Sequence, residues 1–180
     1  MNGVRAIMAA ADTAARWHKA QRRKGEAQEP YVNHLLEVAA LIAEATEGLD
    51  TNLVIAALLH DAVEDSEISP SEIEARFGAD VSTLVMAVTD DKSLPKAERK
   101  RLQIVMAPKK DVRAKMLKIA DKTSNLRALA GSPPAGWSLE RRREYIAWAR
   151  AVVDGARGVS PWLEGQFDQA AAAADTALAG

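Results

Sequence analysis

The apolar positions of this chain follow helical patterns. Residues 35–42 carry an apolar stripe at helical spacing, and the run LVIAALL at 53–59 is apolar on every side. A helix without a polar face is typical of a protein's centre, so we expect 53–59 to be buried. Short β-branched runs and few aromatic residues (4%) also favour helices. The chain is therefore predicted to be all-α, with helices over 4–22, 33–45, 52–63, 70–77, 79–88, 95–106, 112–129, 139–155 and 161–178.

Length and composition indicate one globular domain. The chain has 180 residues, of which 48% are apolar and 27% charged, which argues against disorder. The Gly/Pro-rich segment 131–136 is the clearest loop, and it is too short for a flexible linker between domains. We therefore expect a single domain over residues 1–180, with its core at about 4–158 and a C-terminal helix or tail at about 161–180.

Charge and cysteine content narrow the function classes. Lys and Arg total 24 and Asp and Glu total 25, a balance unlike that of the basic domains that bind nucleic acids. The absence of cysteine excludes disulfide scaffolds, thiol catalysis and zinc–thiolate sites. No apolar run approaches the roughly 18 residues that cross a membrane. We therefore expect a cytoplasmic protein without a nucleic-acid or membrane partner, and the oligomeric state stays open.

Four side chains at the borders of apolar stretches predict a metal site. His34 precedes the apolar stripe, His60 and Asp61 end the run at 53–59, and Asp121 follows a mostly apolar segment. A carboxylate at the end of a buried run is costly unless it is paired or metal-bound. Imidazole and carboxylate without thiolate suit Mn²⁺, Fe²⁺ or Zn²⁺, and the share of oxygen favours the harder metals. Because helical neighbours point about 100° apart, His60 and Asp61 can ligate together only at a helix end or an irregular turn.

Two further acids follow this pair. Glu64 lies four residues after His60 and Asp65 four after Asp61, so both share a helix side with the candidate ligands. So many ionisable groups at the end of a buried helix need a cation or a solvent-filled cleft. The alternative interpretation is a helix C-terminus that enters an acidic surface loop.

Basic and aromatic residues indicate an anionic ligand. Arg23 and Lys24 belong to one basic run, and the segment 92–110 has seven Lys or Arg against one acid. Local cation clusters in a nearly neutral chain favour a discrete polyanion, although a solvated helix face is the alternative. Trp137 and Tyr145 are eight residues apart, so they either share a face that stacks on a base or pack in the core.

The motifs stand in a fixed order: His34, then His60-Asp61, then Glu64-Asp65, then Asp121. This order resembles the HD-domain metal-dependent phosphohydrolases. The surrounding segments resemble the hydrolase domain of RelA/SpoT-type alarmone enzymes, namely HKAQRRKG, PYVNH, AALLHDAVEDS, FGADV and KIADKTSNLRAL. The stretch VTDDKSLPKAERKRLQ and the later GWS resemble the stand-alone small hydrolases of the metazoan SpoT homologue type. The similarity runs from about residue 4 to 158, and the ordered set is highly specific.

The resemblance implies a mostly α-helical HD fold, a Mn²⁺ ion and hydrolysis of the 3′-diphosphate of (p)ppGpp. The products would be GDP or GTP and pyrophosphate, which lowers alarmone levels in the stringent response. Metal-ligand roles are implied for His34, His60, Asp61 and Asp121. A catalytic acid pair is implied at Glu64 and Asp65. Contacts to the nucleotide and its phosphates are implied for Arg23, Lys24 and Asn125, and positions in the substrate cleft for Lys96, Arg141 and Tyr145.

Two departures and two alternatives accompany the resemblance. Long alarmone enzymes carry His-Asn-Met-Arg-Thr where this chain has Ser124 to Ala128, and Ala128 lacks a hydroxyl that could contact substrate. A chain of 180 residues leaves no room for a synthetase domain, so we expect degradation alone. One alternative is an HD phosphohydrolase for another nucleotide, such as a 2′-phosphatase of NADPH. The other is a non-catalytic nucleotide-binding module, which predicts loss of a ligand or acid, yet all six are present.

Overall fold

A computed structural model describes residues 3–66 and 68–179, and every secondary-structure element in these ranges is a helix. The all-α prediction is therefore confirmed. The helices are α1 (Gly3–Trp17), α2 (Val32–Ala45), α3 (Thr51–Leu59), α4 (Ala62–Asp65), α5 (Pro70–Phe77), α6 (Ala79–Val88), α7 (Lys96–Met106), α8 (Val112–Gly131), α9 (Leu139–Asp154) and α10 (Pro161–Ala177), with a 3₁₀ turn at Ala107–Lys109.

The chain divides into two compact units that alternate along the sequence. The first comprises Met1–Gln21 and Pro30–Ser93, and the second comprises Arg22–Glu29 and Leu94–Gly180. Helices α1 to α6 belong to the first unit and α7 to α10 to the second. The expectation of a single domain over residues 1–180 stays a prediction.

Helix α3 is the centre of the first unit. All of its residues from Leu53 to Leu59 are buried, as the apolar run predicts. The helix packs against α1, α2 and α6, which cover it on its different sides. At its start, the Asp50 carboxylate accepts the Leu53 N–H at 3.0 Å. This cap satisfies one of the backbone donors that every helix leaves open at its N-terminus.

Two predicted helices end earlier than expected. The single helix expected over 52–63 is broken, because the Nδ1 of His60 donates to the Ala57 carbonyl at 2.8 Å. That carbonyl would accept the backbone N–H of residue 61 if the helix continued. The helix expected over 4–22 ends at Trp17, and the chain continues in tighter turns, in which the Lys19 N–H donates to the Arg16 carbonyl at 3.4 Å and the Gln21 N–H to the His18 carbonyl at 2.9 Å.

Helix α8 is the central helix of the second unit. It packs along α10, and α7 packs against α9. The Asp111 side chain caps α8 by accepting the Ala114 N–H at 3.0 Å. Phe167 of α10 is fully buried in this unit, whereas Trp162 of the same helix is 42% exposed. Across the part of the chain that the structure describes, no helix has the length and hydropathy that a membrane crossing needs.

We expect Phe167→Ala to lower the free energy of unfolding by about 3–5 kcal/mol, because it removes a buried aromatic ring and leaves a cavity. Trp162→Ala is the matched control on the same helix and should cost about 1 kcal/mol or less. Urea unfolding of both variants measures the difference. Equal losses would mean that α10 does not anchor the second unit through Phe167.

Candidate active site

The Asp61 carboxylate is the meeting point of the candidate ligands in the first unit. Its Oδ2 lies 3.2 Å from Nε2 of His60 and 3.6 Å from Nε2 of His34. The Tyr31 hydroxyl donates to the same oxygen at 2.6 Å. Both imidazoles are buried, and their ring centroids are 5.2 Å apart. The structure thus brings together three of the four predicted metal ligands within one unit.

The Nε2 of His60 and the Asp61 carboxylate face each other as a pair that a cation can share. A carbonyl oxygen can only accept, so the Nδ1 that contacts Ala57 carries the proton. A neutral ring then presents the lone pair of Nε2 towards the Asp61 carboxylate, whereas a protonated ring donates from Nε2 to it. A lone pair and a carboxylate 3.2 Å apart repel unless a proton or a metal ion lies near both. Imidazole nitrogen and carboxylate oxygen are suitable donors for a divalent transition metal.

Charge around Asp61 also favours its ionised form. Burial raises the pKa of the Asp61 carboxyl, but the charge of His60 and hydrogen bonds from both imidazoles lower it. The balance holds the pKa well below its usual range. The carboxylate is therefore ready to ligate at neutral pH.

Glu64 lies among other acids. Burial raises the pKa of its carboxyl, and the negative charges of Asp61, Asp90 and Asp65 add to the rise. A backbone hydrogen bond from Asp90 opposes this effect but does not cancel it. A carboxyl in this setting takes up a proton more readily than an ordinary glutamate, which suits general acid–base chemistry.

Asp65 has a different environment, although it is the next residue. Its Oδ2 accepts from the Gln21 amide at 2.9 Å, and its Oδ1 accepts from Nζ of Lys92 at 3.0 Å. The Lys92 ammonium also donates to the Glu64 carbonyl. Both oxygens of Asp65 are therefore held in place by the first unit, while Glu64 is surrounded by acids.

Asp121 lies on α8 in the second unit. Its Oδ1 accepts from the Asn125 amide at 2.6 Å, and its Oδ2 accepts from Nζ of Lys122 at 2.9 Å. Lys122 is buried, so this ammonium is a fixed neighbour of the carboxylate.

Cations and aromatic rings form a second cluster in this unit. The Arg141 guanidinium lies 4.5 Å above the Trp137 ring, and Tyr145 lies between Trp137 and Trp148. The ammonium groups of Lys100 and Lys122 lie 4.7 and 4.5 Å from the centre of the Trp148 ring. Burial lowers the pKa of Lys100, and the charges of Lys96, Lys122 and Arg141 lower it further while Glu144 opposes them. The cluster is therefore strongly positive and suits an anion.

The remaining predicted residues lie on a loop. Arg23 and Lys24 belong to the segment 22–29 of the second unit, where Lys24 is exposed and Arg23 is half-buried. The Arg23 N–H donates to the Glu29 carbonyl at 2.9 Å and closes the base of the loop.

Several contacts of these site residues were absent from the sequence analysis. Tyr31 lies three residues before His34 at the start of α2, so helical spacing was a signal that could have placed both side chains on one face. Lys122 directly follows Asp121, but a charge next to a candidate ligand does not reveal which way it points. The contacts of Asp65 with Gln21 and Lys92 join positions 44 and 27 residues apart, and no local pattern indicates them.

Comparison with known proteins identifies the class. The HD-domain family matches residues 10–146. A solved structure, described as a metazoan SpoT orthologue that hydrolyses ppGpp, superposes with a TM-score of 0.88 at 47% identity. The match covers 92% of this chain and 93% of that one.

Sequence relatives narrow the class further. The chain is 50% identical over 162 residues to the guanosine-3′,5′-bis(diphosphate) 3′-pyrophosphohydrolase MESH1 of Xenopus tropicalis. The aligned region covers 90% of each chain. It is also 48% identical over 158 residues to human MESH1, and this aligned region covers 88% of each chain. The chain therefore belongs to the HD-domain family and, within it, to the small hydrolases of the metazoan SpoT homologue type. The resemblance inferred from the sequence is confirmed.

We expect Tyr31→Phe to weaken divalent-metal binding about 10- to 100-fold, because the hydroxyl that orients the Asp61 carboxylate is lost. Titration with Mn²⁺ in a calorimeter measures the dissociation constant. Thr46→Val provides the control, since it removes a hydroxyl that donates to the Ile42 carbonyl at the other end of α2. Unchanged affinity in Tyr31→Phe would show that the hydroxyl does not orient a ligand.

Proposed function

We propose that this chain removes the 3′-diphosphate of (p)ppGpp and releases pyrophosphate with GDP or GTP. The observation that carries the proposal is the identity of about one half, over nine-tenths of each chain, with a hydrolase named for this reaction. Every residue that the family resemblance implies for the site is present in this chain. The substrate is therefore a small nucleotide that carries a cluster of phosphates.

We infer a divalent ion held by His34, His60, Asp61 and Asp121. An HD domain implies a divalent metal, and the fit of His34, His60 and Asp61 rests on the contacts of the two imidazoles with the Asp61 carboxylate. Mn²⁺ is the ion we propose, because two imidazoles with two carboxylates suit a metal of intermediate hardness. When bound, such an ion lowers the pKa of a water molecule and polarises a phosphoryl oxygen.

The chain's own residues bind the rest of the substrate in this proposal. Arg23 and Lys24 neutralise the diphosphate, since arginine offers paired donors to phosphate and lysine a point charge. Lys96, Arg141 and Tyr145 bind the remaining phosphates and the nucleoside, with support from the positive potential around Lys100. Asn125 fixes the Asp121 carboxylate from one side, so it orients a ligand besides any contact with nucleotide.

In this proposal Glu64 and Asp65 have different roles, proton transfer and positioning of the water. Water attacks the phosphorus that is joined to the ribose 3′-oxygen, the bond from phosphorus to that oxygen breaks, and the oxygen leaves with a proton. Glu64 transfers the proton, because burial and its acidic neighbours raise the pKa of its carboxyl, so that it takes up a proton more readily than an ordinary glutamate. Asp65 positions the water, since Gln21 and Lys92 hold both of its oxygens in a fixed direction.

We also propose that the protein acts in the cytoplasm. The chain has no cysteine and hence no need of an oxidising compartment for folding.

Product analysis tests the proposed function directly. Purified protein is incubated with Mn²⁺ and either ppGpp or NADPH at equal concentration, and the products are separated by ion-exchange chromatography. We expect GDP and pyrophosphate in equal amounts from ppGpp. Release of single phosphates from ppGpp, or a higher kcat/KM for NADPH, would contradict the proposal.

Metal removal should abolish the activity. Chelation is expected to stop turnover and added Mn²⁺ to restore it, because the protein residues alone supply no comparable activation of water. Asp61→Asn should also lower the bound metal measured by elemental analysis, since an amide is a weaker ligand than a carboxylate. Asp12→Asn changes an exposed acid of α1 and serves as the control. Full turnover in chelator would exclude the metal.

Glu64→Gln should lower kcat about 10²–10⁴-fold, since the amide keeps the volume of the side chain but cannot transfer a proton. Metal content should stay normal, and the melting temperature should not fall, because the change removes one charge from a group of like charges. Glu44→Gln is the control, an exposed position on α2. A kcat within about threefold of the parent would remove Glu64 from proton transfer.

A further inference from the structure

The loop at 22–29, which carries Arg23 and Lys24, is fastened by hydrogen bonds to Ser132 and Pro133, the two residues that follow α8. The Ala27 N–H donates to the Ser132 hydroxyl at 2.9 Å, and the Glu26 N–H donates to the Pro133 carbonyl at 3.3 Å. Within the loop, the Gln28 N–H donates to the Gly25 carbonyl at 3.0 Å, and Gln28 has a positive φ of 49°. The loop is therefore a closed turn and not an open strand.

Gly25 makes this fastening possible. A Cβ built on Gly25 would lie 2.2 Å from the Ser132 carbonyl oxygen and 2.6 Å from its hydroxyl. The nearer atom belongs to the backbone, so no side-chain rotation of Ser132 relieves the clash. Any residue other than glycine must move the loop away from Ser132.

Ser132 is itself a fixed point. It follows the last residue of α8, and its N–H donates to the Ala128 carbonyl at 2.8 Å. Helix α8 also carries Asp121 and Asn125, and its buried face packs along α10. The basic loop is therefore attached through backbone contacts to the same rigid helix that holds a candidate metal ligand.

From this geometry we propose that Gly25 and Ser132 are positioning residues, which set the place of the Arg23 and Lys24 side chains for the phosphates of the substrate. The inference rests on the proposed function, in which these two cations bind the diphosphate. Exposed basic side chains on a loose loop lose conformational entropy when they bind an anion. A loop fastened to α8 has already lost most of that backbone freedom, so its cations bind phosphate more tightly.

Three variants test the fastening. Gly25→Ala should raise the KM for ppGpp about tenfold or more, which corresponds to the loss of one charge-assisted contact. Its kcat should stay within about twofold, because proton transfer does not involve the loop. Ser132→Ala keeps the carbonyl but loses the hydroxyl acceptor, so its KM should rise by a smaller factor of about three to five.

Gly131→Ala is the matched control. It places the same methyl group one residue before Ser132, where no atom lies within 4 Å of the added Cβ. We expect parental KM, kcat and melting temperature. A parallel rise of KM in Gly131→Ala and Gly25→Ala would overturn the proposal, since it would show a general sensitivity of the end of α8.

A mutant cycle that combines Gly25→Ala with changes at Arg23 and Lys24 separates positioning from folding. In an Arg23→Ala/Lys24→Ala background, Gly25→Ala should raise KM no further, because the groups that it positions are gone. The same tenfold factor in both backgrounds would overturn the proposal. An unchanged KM in Arg23→Ala/Lys24→Ala itself would reject the phosphate role of the loop, and with it both the proposed role and this inference.

Limited trypsin digestion gives a readout that needs no substrate. Cleavage after Arg22, Arg23 or Lys24 requires the loop to leave its fastened conformation. Gly25→Ala should speed this cleavage at least several-fold while cleavage elsewhere, read by mass spectrometry, stays constant. Unchanged cleavage in Gly25→Ala would overturn the fastening even if the protein hydrolyses ppGpp. Faster cleavage with unchanged KM would overturn the positioning role alone and leave the proposed function intact.

Discussion

The burial of charge at the end of α3 is the constraint on which the first unit depends. Because α3 has no polar face, its C-terminal end lies inside the protein, and His60 and Asp61 follow directly. A carboxylate in such a place needs strong partners, and Tyr31, His34 and His60 supply them. The same burial that stabilises the fold thus brings together three residues of the candidate metal site.

Most of the fold could be predicted because helix signals are local. The caps at Asp50 and Asp111 and the apolar run of α3 all act within a few residues of the boundary that they set. The break after Leu59 depends on the His60 side chain replacing a backbone donor. That exchange is a choice between two hydrogen bonds of similar strength, and the helical pattern of the sequence does not reveal it.

The candidate site could be predicted in its residue types more than in its contacts. Motif order indicated candidate acids and imidazoles, because metal and acid–base chemistry restrict which side chains can serve, but it did not indicate Asp90, whose charge acts on Glu64. Sequence did not reveal that Asn125 and Lys122 hold Asp121, or that Gln21 and Lys92 hold Asp65. These supporting contacts require only some donor at the correct distance, so many sequences would satisfy them.

The cations above the indole rings of the second unit have an optical consequence. Lys100 and Lys122 lie over Trp148, and Arg141 lies over Trp137. Indole emission responds to the electric field across the ring, and an arriving polyanion offsets the field of these cations. The binding of a phosphorylated ligand would then change the colour or intensity of the protein's own fluorescence. With the substrate bound at this cluster as proposed, intrinsic fluorescence would report occupancy without a label, a coupled assay or turnover.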